Sequence, residues 1–245
     1  MQTFYQTDPG KVRSHNEDSV TIVKNLNNEY LLVVADGMGG HKAGEVASSL
    51  VVNELGRRFT ALSSIGTKEE AACYLKEIID EINVKILRYA EEHVDASGLG
   101  TTCVCAILTK EFLIFGNIGD SSGFVLKNGK LFKVTKDHTL VNLLLESGEI
   151  SPKDAENHPQ KNILMKALGA AEKIDMDIFD VELTVDGIFL CSDGLTNMVS
   201  KEQIERVLND EELDINEKVD KLILKSNLRG GNDNVSIAFL SREGV

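Results

Sequence analysis

The sequence predicts an α+β fold in which antiparallel strands are kept apart from the helices. Between residues 100 and 134, four apolar runs of strand length (101–109, 112–118, 123–126 and 131–134) follow one another with only short connections. The last two are joined by Asn128-Gly129, a strong hairpin signal. Helical periodicity falls before and after this meander, not between its strands, unlike the βα alternation of a doubly wound parallel sheet.

Taken in order, residues 2–8 alternate weakly and form a first strand, ended by Asp8-Pro9-Gly10. A polar connection, Lys11 to Asp18, leads to a second strand at 19–23. The turn at 25–29 joins it in a hairpin to Leu31-Leu32-Val33-Val34-Ala35-Asp36, where an apolar strand meets the glycine-rich stretch Gly37-Met38-Gly39-Gly40. A helix over 43–59 puts Val46, Ala47, Leu50, Val51, Leu55 and Phe59 on one face, and one over 68–93 does the same with Leu75, Ile78, Ile79, Ile82, Ile86 and Leu87. Glu69 and Glu70 suit the start of the second.

After the meander, 140–146 is a short helix stopped by Gly148, and Ser151-Pro152-Lys153-Asp154 is a capping box with proline at the first helical position. We read 145–169 as a flap over the core. Strands return at 176–183 and 187–191, helices at 201–209 and 215–227, and a last strand at 234–241. The acidic run 210–214 lacks the glycine of an EF-hand loop and reads as a solvated turn. With no repeat, linker or low-complexity segment, residues 1–245 are expected to form a single domain, flap included.

A hydrophobic fraction of 42% with 27% charged residues is that of a soluble globular chain. The longest apolar runs fall well short of the roughly 18 residues of a membrane span, and residues 1–8 lack the basic and apolar regions of a signal peptide. The expected location is cytoplasmic, without membrane contact. The four cysteines lack zinc-finger spacing and are expected to be thiols. A formal charge of −13 argues against nucleic-acid binding and suits a protein that concentrates cations.

An aspartate followed by glycine is most often an ordinary turn. Here the pattern repeats. Asp36, Asp120 and Asp193 each follow an apolar run, and Asp233 precedes one. Four carboxylates at the margins of core strands cannot converge on a small space without cations, because mutual repulsion would protonate them or open the site. The constellation therefore implies metal. Arg13 then offers a forked donor for a phosphate's oxygens, and Glu17 and Asp18 can hold metal-bound waters in an outer shell.

The chain resembles the metal-dependent protein phosphatases, the type 2C Ser/Thr family, in its compact bacterial form. The motifs that carry the resemblance are Arg13-Ser14-His15-Asn16-Glu17-Asp18, Val34-Ala35-Asp36-Gly37-Met38-Gly39-Gly40, Gly100-Thr101-Thr102, Ile118-Gly119-Asp120-Ser121, Asp137-His138, Ser192-Asp193-Gly194 and Asp233-Asn234, in the family's order across nearly the whole chain. The resemblance implies two antiparallel β-sheets packed as a central sandwich and flanked by pairs of helices, a four-layer αββα arrangement with a flap.

It also implies a site. Asp36 would bridge two metals and Gly37 would offer its carbonyl to the first. Asp193 and Asp233 would complete the second, and Asp120 with Asp193 would hold a weaker third. Glu17, Asp18 and Asn234 would lie in the outer shell. Oxygen-only ligation suits Mn²⁺ or Mg²⁺. The implied reaction is hydrolysis of phosphoserine and phosphothreonine by a hydroxide shared between two cations, with Arg13 on the phosphoryl group. The implied partners are phosphorylated Ser/Thr proteins and a cognate bacterial Ser/Thr kinase, with the phosphatase a monomer. A carboxylate-metal nuclease is the rival enzyme and a non-catalytic pseudophosphatase the rival binding protein. Two places depart from the family pattern. Met38 stands where many eukaryotic members carry a histidine proposed to protonate the leaving group, with His41 three residues on as either a substitute or a surface residue. Ser122 stands where arginine is usual.

Overall fold

A computed structural model describes residues 1–39, 43–93, 96, 98–156, 158–161 and 163–242. Strands β1 (Gln2–Asp8), β2 (Asp18–Lys24) and β3 (Tyr30–Met38) precede helices α1 (Ala43–Thr60) and α2 (Lys68–Glu92). The middle of the chain holds β4 (Gly100–Thr101), β5 (Cys103–Leu108), β6 (Leu113–Ile118), β7 (Ser122–Lys127) and β8 (Lys130–Lys133). The short helices α3 (Leu140–Glu146) and α4 (Pro152–Glu156) occupy the excursion. The chain then returns through β9 (Asp177–Val181), β10 (Gly187–Cys191), α5 (Asp193–Thr196), α6 (Lys201–Leu208), α7 (Ile215–Leu228) and β11 (Val235–Ser241).

The strands form two antiparallel sheets, ordered β1-β11-β10-β7-β8 and β2-β3-β5-β6-β9, with β4 paired to the end of β3. Period-two alternation sorts each central strand between two cores. On β3, Leu31, Val33 and Ala35 face α1 and α2, while Tyr30, Leu32 and Val34 face the other sheet. On β10, Phe189 and Cys191 lie under α6 and α7, while Ile188 and Leu190 point between the sheets. Burial on both faces is why these strands read as unbroken apolar runs. The layers are helix, sheet, sheet, helix.

The run at 100–134 is not one meander. β5 and β6 pair in one sheet and β7 and β8 in the other, so the chain crosses the sandwich at Gly119-Asp120-Ser121. Strand period carries no record of pairing partners, so local sequence reads the two hairpins as one. The crossing sets Asp120 at the seam between sheets. Two smaller differences also bear on the site. β3 continues past Asp36 through Gly37 and Met38, because β4 pairs with it there. The single turn α5 begins at Asp193, a helix too short to show a period.

Helix starts follow local chemistry. Thr67 and Glu70 form a capping box on α2. Asp214, read as part of a solvated acidic turn, caps α7 with Glu217. At α4, the Asp154 N–H donates to Ser151 Oγ at 3.3 Å, but the Asp154 carboxylate takes the Ser151 hydroxyl, not its backbone N–H. Half of the expected capping box is present. The flap's return is fixed by Asn83, buried on α2, which accepts from the Gly169 N–H at 2.8 Å and donates to the Ala171 carbonyl at 2.8 Å.

Candidate metal centre

Asp36 is held by its backbone from two sides. Its N–H donates to Thr102 Oγ1 at 3.0 Å, and its carbonyl accepts the Thr102 N–H and the Thr101 hydroxyl, both at 2.9 Å. The Gly100-Thr101-Thr102 stretch is therefore a clamp on the strand end, a role sequence reasoning did not assign it. Thr102 Oγ1 also lies 2.7 Å from Ser121 Oγ, tying the Asp36 and Asp120 segments together.

Gly37 and Gly44 meet backbone to backbone where α1 packs on β3. A Cβ on Gly44 would lie 2.7 Å from the Gly37 carbonyl carbon, and one on Gly37 would collide with the Gly44 carbonyl. In an ordinary helix Gly→Ala stabilises by ~1 kcal/mol. Here the neighbour is main chain and cannot swing away, so overpacking of ~1–3 kcal/mol should prevail. Gly44→Ala is expected to lower Tm and to weaken Mn²⁺ binding in calorimetric titration. An unchanged Tm would show that the contact gives way.

The second sheet supplies the other side. Asp193 opens α5 directly after β10, with Asn197 Nδ2 donating to its Oδ2 at 3.0 Å. Its charge acts on the Asp36 carboxyl. Asp18 sits opposite Asp36 in the β2–β3 register and is buried. Ser192 Oγ donates to Asp18 Oδ2 at 2.7 Å, while Asp18 Oδ1 is buried without a hydrogen-bond partner.

The electrostatics show the crowding. Burial, then Asp18, Asp193, Asp120 and Asp233, push the Asp36 carboxyl well above the usual carboxylate range. Burial lifts Asp18 to about 7 against the hydrogen bond from Ser192. Burial, with Asp193 and Asp137 nearby, lifts Asp120 to about 7. Asp193 is raised by burial and by Asp233. These groups share one field and one desolvated space.

The donor set fits a hard divalent cation. It consists of carboxylates plus main-chain carbonyls, it includes the unpartnered Asp18 Oδ1, and added positive charge would relieve it. Among the described residues, however, no three His, Cys, Asp or Glu side chains close on one point as a ready cage. The fit rests on paired carboxylates and on backbone oxygen.

Other expected residues sit differently from their anticipated roles. Arg13 Nη2 donates to Asp233 Oδ2 at 2.9 Å, so the guanidinium expected on phosphate is paired with an expected metal ligand. It is still about half exposed, at 52% of its side-chain surface. Asn234 faces the 9–17 loop. Its Oδ1 accepts the Glu17 N–H at 2.8 Å, and its Nδ2 donates to the carbonyls of Pro9 at 2.9 Å and His15 at 3.0 Å. It staples the loop that carries Arg13 and Glu17. The Glu17 carboxyl, half-buried, is raised by burial, and its carbonyl accepts the Gly37 N–H at 3.1 Å. Met38 is half-buried beside Gly100. His41 lies outside the described residues. Cys103, Cys105 and Cys191 are buried thiols, and Cys73 is exposed.

Residues 10–224 match the family model described as Protein phosphatase 2C. The serine/threonine phosphatase stp of Listeria welshimeri is 44% identical over 243 residues, covering 99% of this chain and 96% of its own. The crystal structure of serine/threonine phosphatase Stp1 from Staphylococcus aureus is 38% identical, with a TM-score of 0.92 over 99% of this chain and 95% of that one. The serine/threonine phosphatase of S. agalactiae is 33% identical, with a TM-score of 0.93 over 99% of both chains.

Proposed function

The chain belongs to the protein phosphatase 2C family, and from that premise we propose that it is a metal-dependent protein Ser/Thr phosphatase acting on phosphoserine and phosphothreonine. The observation that carries the metal requirement is the set of desolvated, mutually repelling carboxylates at the seam of the two sheets. Asp36, Asp193 and Asp233, with the Gly37 carbonyl, would hold two core Mn²⁺ or Mg²⁺ ions, and Asp120 with Asp193 a weaker third. When bound, such ions offset charge on the phosphoryl oxygens and make a shared water acidic enough to attack phosphorus at neutral pH.

The chain's own residues do the positioning. The Thr101–Thr102 clamp fixes Asp36, and Asn197 and the start of α5 fix Asp193. Asp18, oriented by Ser192, presents a free oxygen from the outer shell. Among the described residues, Arg13 is the guanidinium beside these carboxylates that also reaches solvent, and it orients the phosphoryl group of an arriving substrate. The substrates would be phosphoproteins, met in part by the flap, and the cellular counterpart a bacterial Ser/Thr kinase. No helix among the described residues is long and apolar enough to cross a membrane. A single-domain cytoplasmic monomer is the form proposed.

A phosphothreonine peptide should be hydrolysed only with added Mn²⁺ or Mg²⁺, and EDTA should stop turnover. Metal-independent hydrolysis would overturn the assignment. Arg13→Ala should raise KM for the peptide by about tenfold or more, the scale of a charge-assisted hydrogen bond. Its Mn²⁺ affinity should not fall, since the variant removes a competitor for Asp233. Loss of Mn²⁺ binding would make Arg13 structural instead.

A further inference from the structure

We propose that His138 is a positioning residue that sets the Gly119-Asp120 turn, and that the flap contributes to its setting through Lys166. The inference rests on the proposed role of Asp120 as an ion ligand, but its geometry stands apart from that role.

The histidine grips Gly119 twice. The His138 N–H donates to the Gly119 carbonyl at 2.9 Å, and Nδ1 accepts the Gly119 N–H at 3.0 Å. An Nδ1 that accepts carries no proton, so the proton of the neutral ring is on Nε2. That nitrogen lies 3.1 Å from Asp177 Oδ2 and donates to it. Asp177 in turn takes Lys166 Nζ on its other oxygen at 2.8 Å. Lys166 stands on the returning leg of the flap, where the Met165 N–H also donates to the His138 carbonyl at 2.8 Å. The series runs Lys166, Asp177, His138, Gly119, then Asp120.

The turn has few other supports. Gly119 has φ +102°, a backbone region that favours glycine, and Thr102 packs so close that a Cβ there would lie 2.5 Å from its Cγ2. Asn117 Nδ2 also donates to the Gly119 carbonyl, at 3.2 Å. Among the described residues, the imidazole is the partner given to the Gly119 N–H. Removing that acceptor frees the step that aims the Asp120 side chain at the seam. The same flap leg pairs Leu168 with Thr101 through both backbone bonds, and the Thr101 hydroxyl holds Asp36. One short leg of the flap thus touches the supports of two site aspartates.

Asparagine and glutamine at 138 separate the two imidazole contacts. An Asn side chain can place an acceptor where Nδ1 stands, and a Gln side chain can reach only where Nε2 stands. With the full chain and no metal, Gly119 amide exchange measured by NMR should rise about tenfold in His138→Gln, the scale of one lost hydrogen bond. It should stay near wild type in His138→Asn. Lys166→Met should raise it by a smaller factor. Equal Gly119 exchange in wild type and His138→Gln would overturn the proposal, as would equal rises in the Asn and Gln variants. If the histidine variants fail to fold, Asp177→Asn and Lys166→Met carry the same exchange test. Mn²⁺ titration followed by EPR gives the second readout. His138→Gln should weaken the weakest ion while sparing the tighter two, and should add nothing in an Asp120→Asn background. Asp120→Asn that binds Mn²⁺ like wild type would instead remove the ion-ligand reading of Asp120 and leave the positioning role intact.

Discussion

Asp193→Asn is expected to lose at least about a hundredfold in turnover of a phosphothreonine peptide, the scale of removing a main electrostatic contributor. The substitution keeps size and the capability of accepting from Asn197, so a fall cannot be assigned to lost packing. Its effect on stability should run the other way. In the metal-free protein, Asp193 is a desolvated charge among other charges and is raised by burial and by Asp233. Neutralising it should raise the metal-free Tm while removing most of the Mn²⁺-induced increase. Gain of apo stability with loss of metal response separates a ligand from a structural carboxylate. A near-normal rate would sink the two-ion assignment, and a lowered metal-free Tm would sink the account of the crowded carboxylates.

Mn²⁺ is expected to stabilise the protein far more at pH 7.5 than at pH 5. Asp18 and Asp120, each raised to about 7, keep protons in the folded protein that an unfolded aspartate, near 3.9, gives up. The folded state therefore binds more protons than the unfolded state between about pH 4 and 7. Its metal-free stability is full below that window and falls as pH rises through it. Above about pH 7 Asp18 and Asp120 give up their protons and cations take their place; at pH 5 protons compete with the cations. Thermal melts with Mn²⁺ or EDTA at the two pH values test this. A metal-free Tm that climbs from pH 5 to 7.5, or a Mn²⁺ shift equal at both, would contradict it.

Much of this site was legible because its carboxylates stand where apolar runs stop. Asp193 and Asp233 flank the ends of β10 and β11, and Asp36 stands where the apolar run of β3 stops although the strand continues to Met38; such a change shows in composition alone. The helices were legible for the same kind of reason, since a buried face imposes its period over many residues. What escaped are the contacts of groups that act through tertiary partners. Thr101, Thr102, Asn234 and His138 are single polar residues whose work is done on distant backbone, and no spacing announces that. The crossing at 119–121 escaped because two hairpins in different sheets have the same local pattern as one meander. The pairing of Arg13 with Asp233 joins residues 220 positions apart, and no local pattern shows it.

The place of β11 has a consequence for biosynthesis. It lies between β1 and β10, bonded to both along their lengths, although it is the last of the described strands in chain order. Until it emerges from the ribosome, the first strand has no neighbour within its sheet, and β10 presents an open edge of the kind that recruits other chains. Asp233 and Asn234 arrive with it, and with them the partner of Arg13 and the staple of the 9–17 loop. A partly made chain would therefore lack a proposed ion ligand and the staple of the Arg13 loop until residues 233–241 are free of the ribosome.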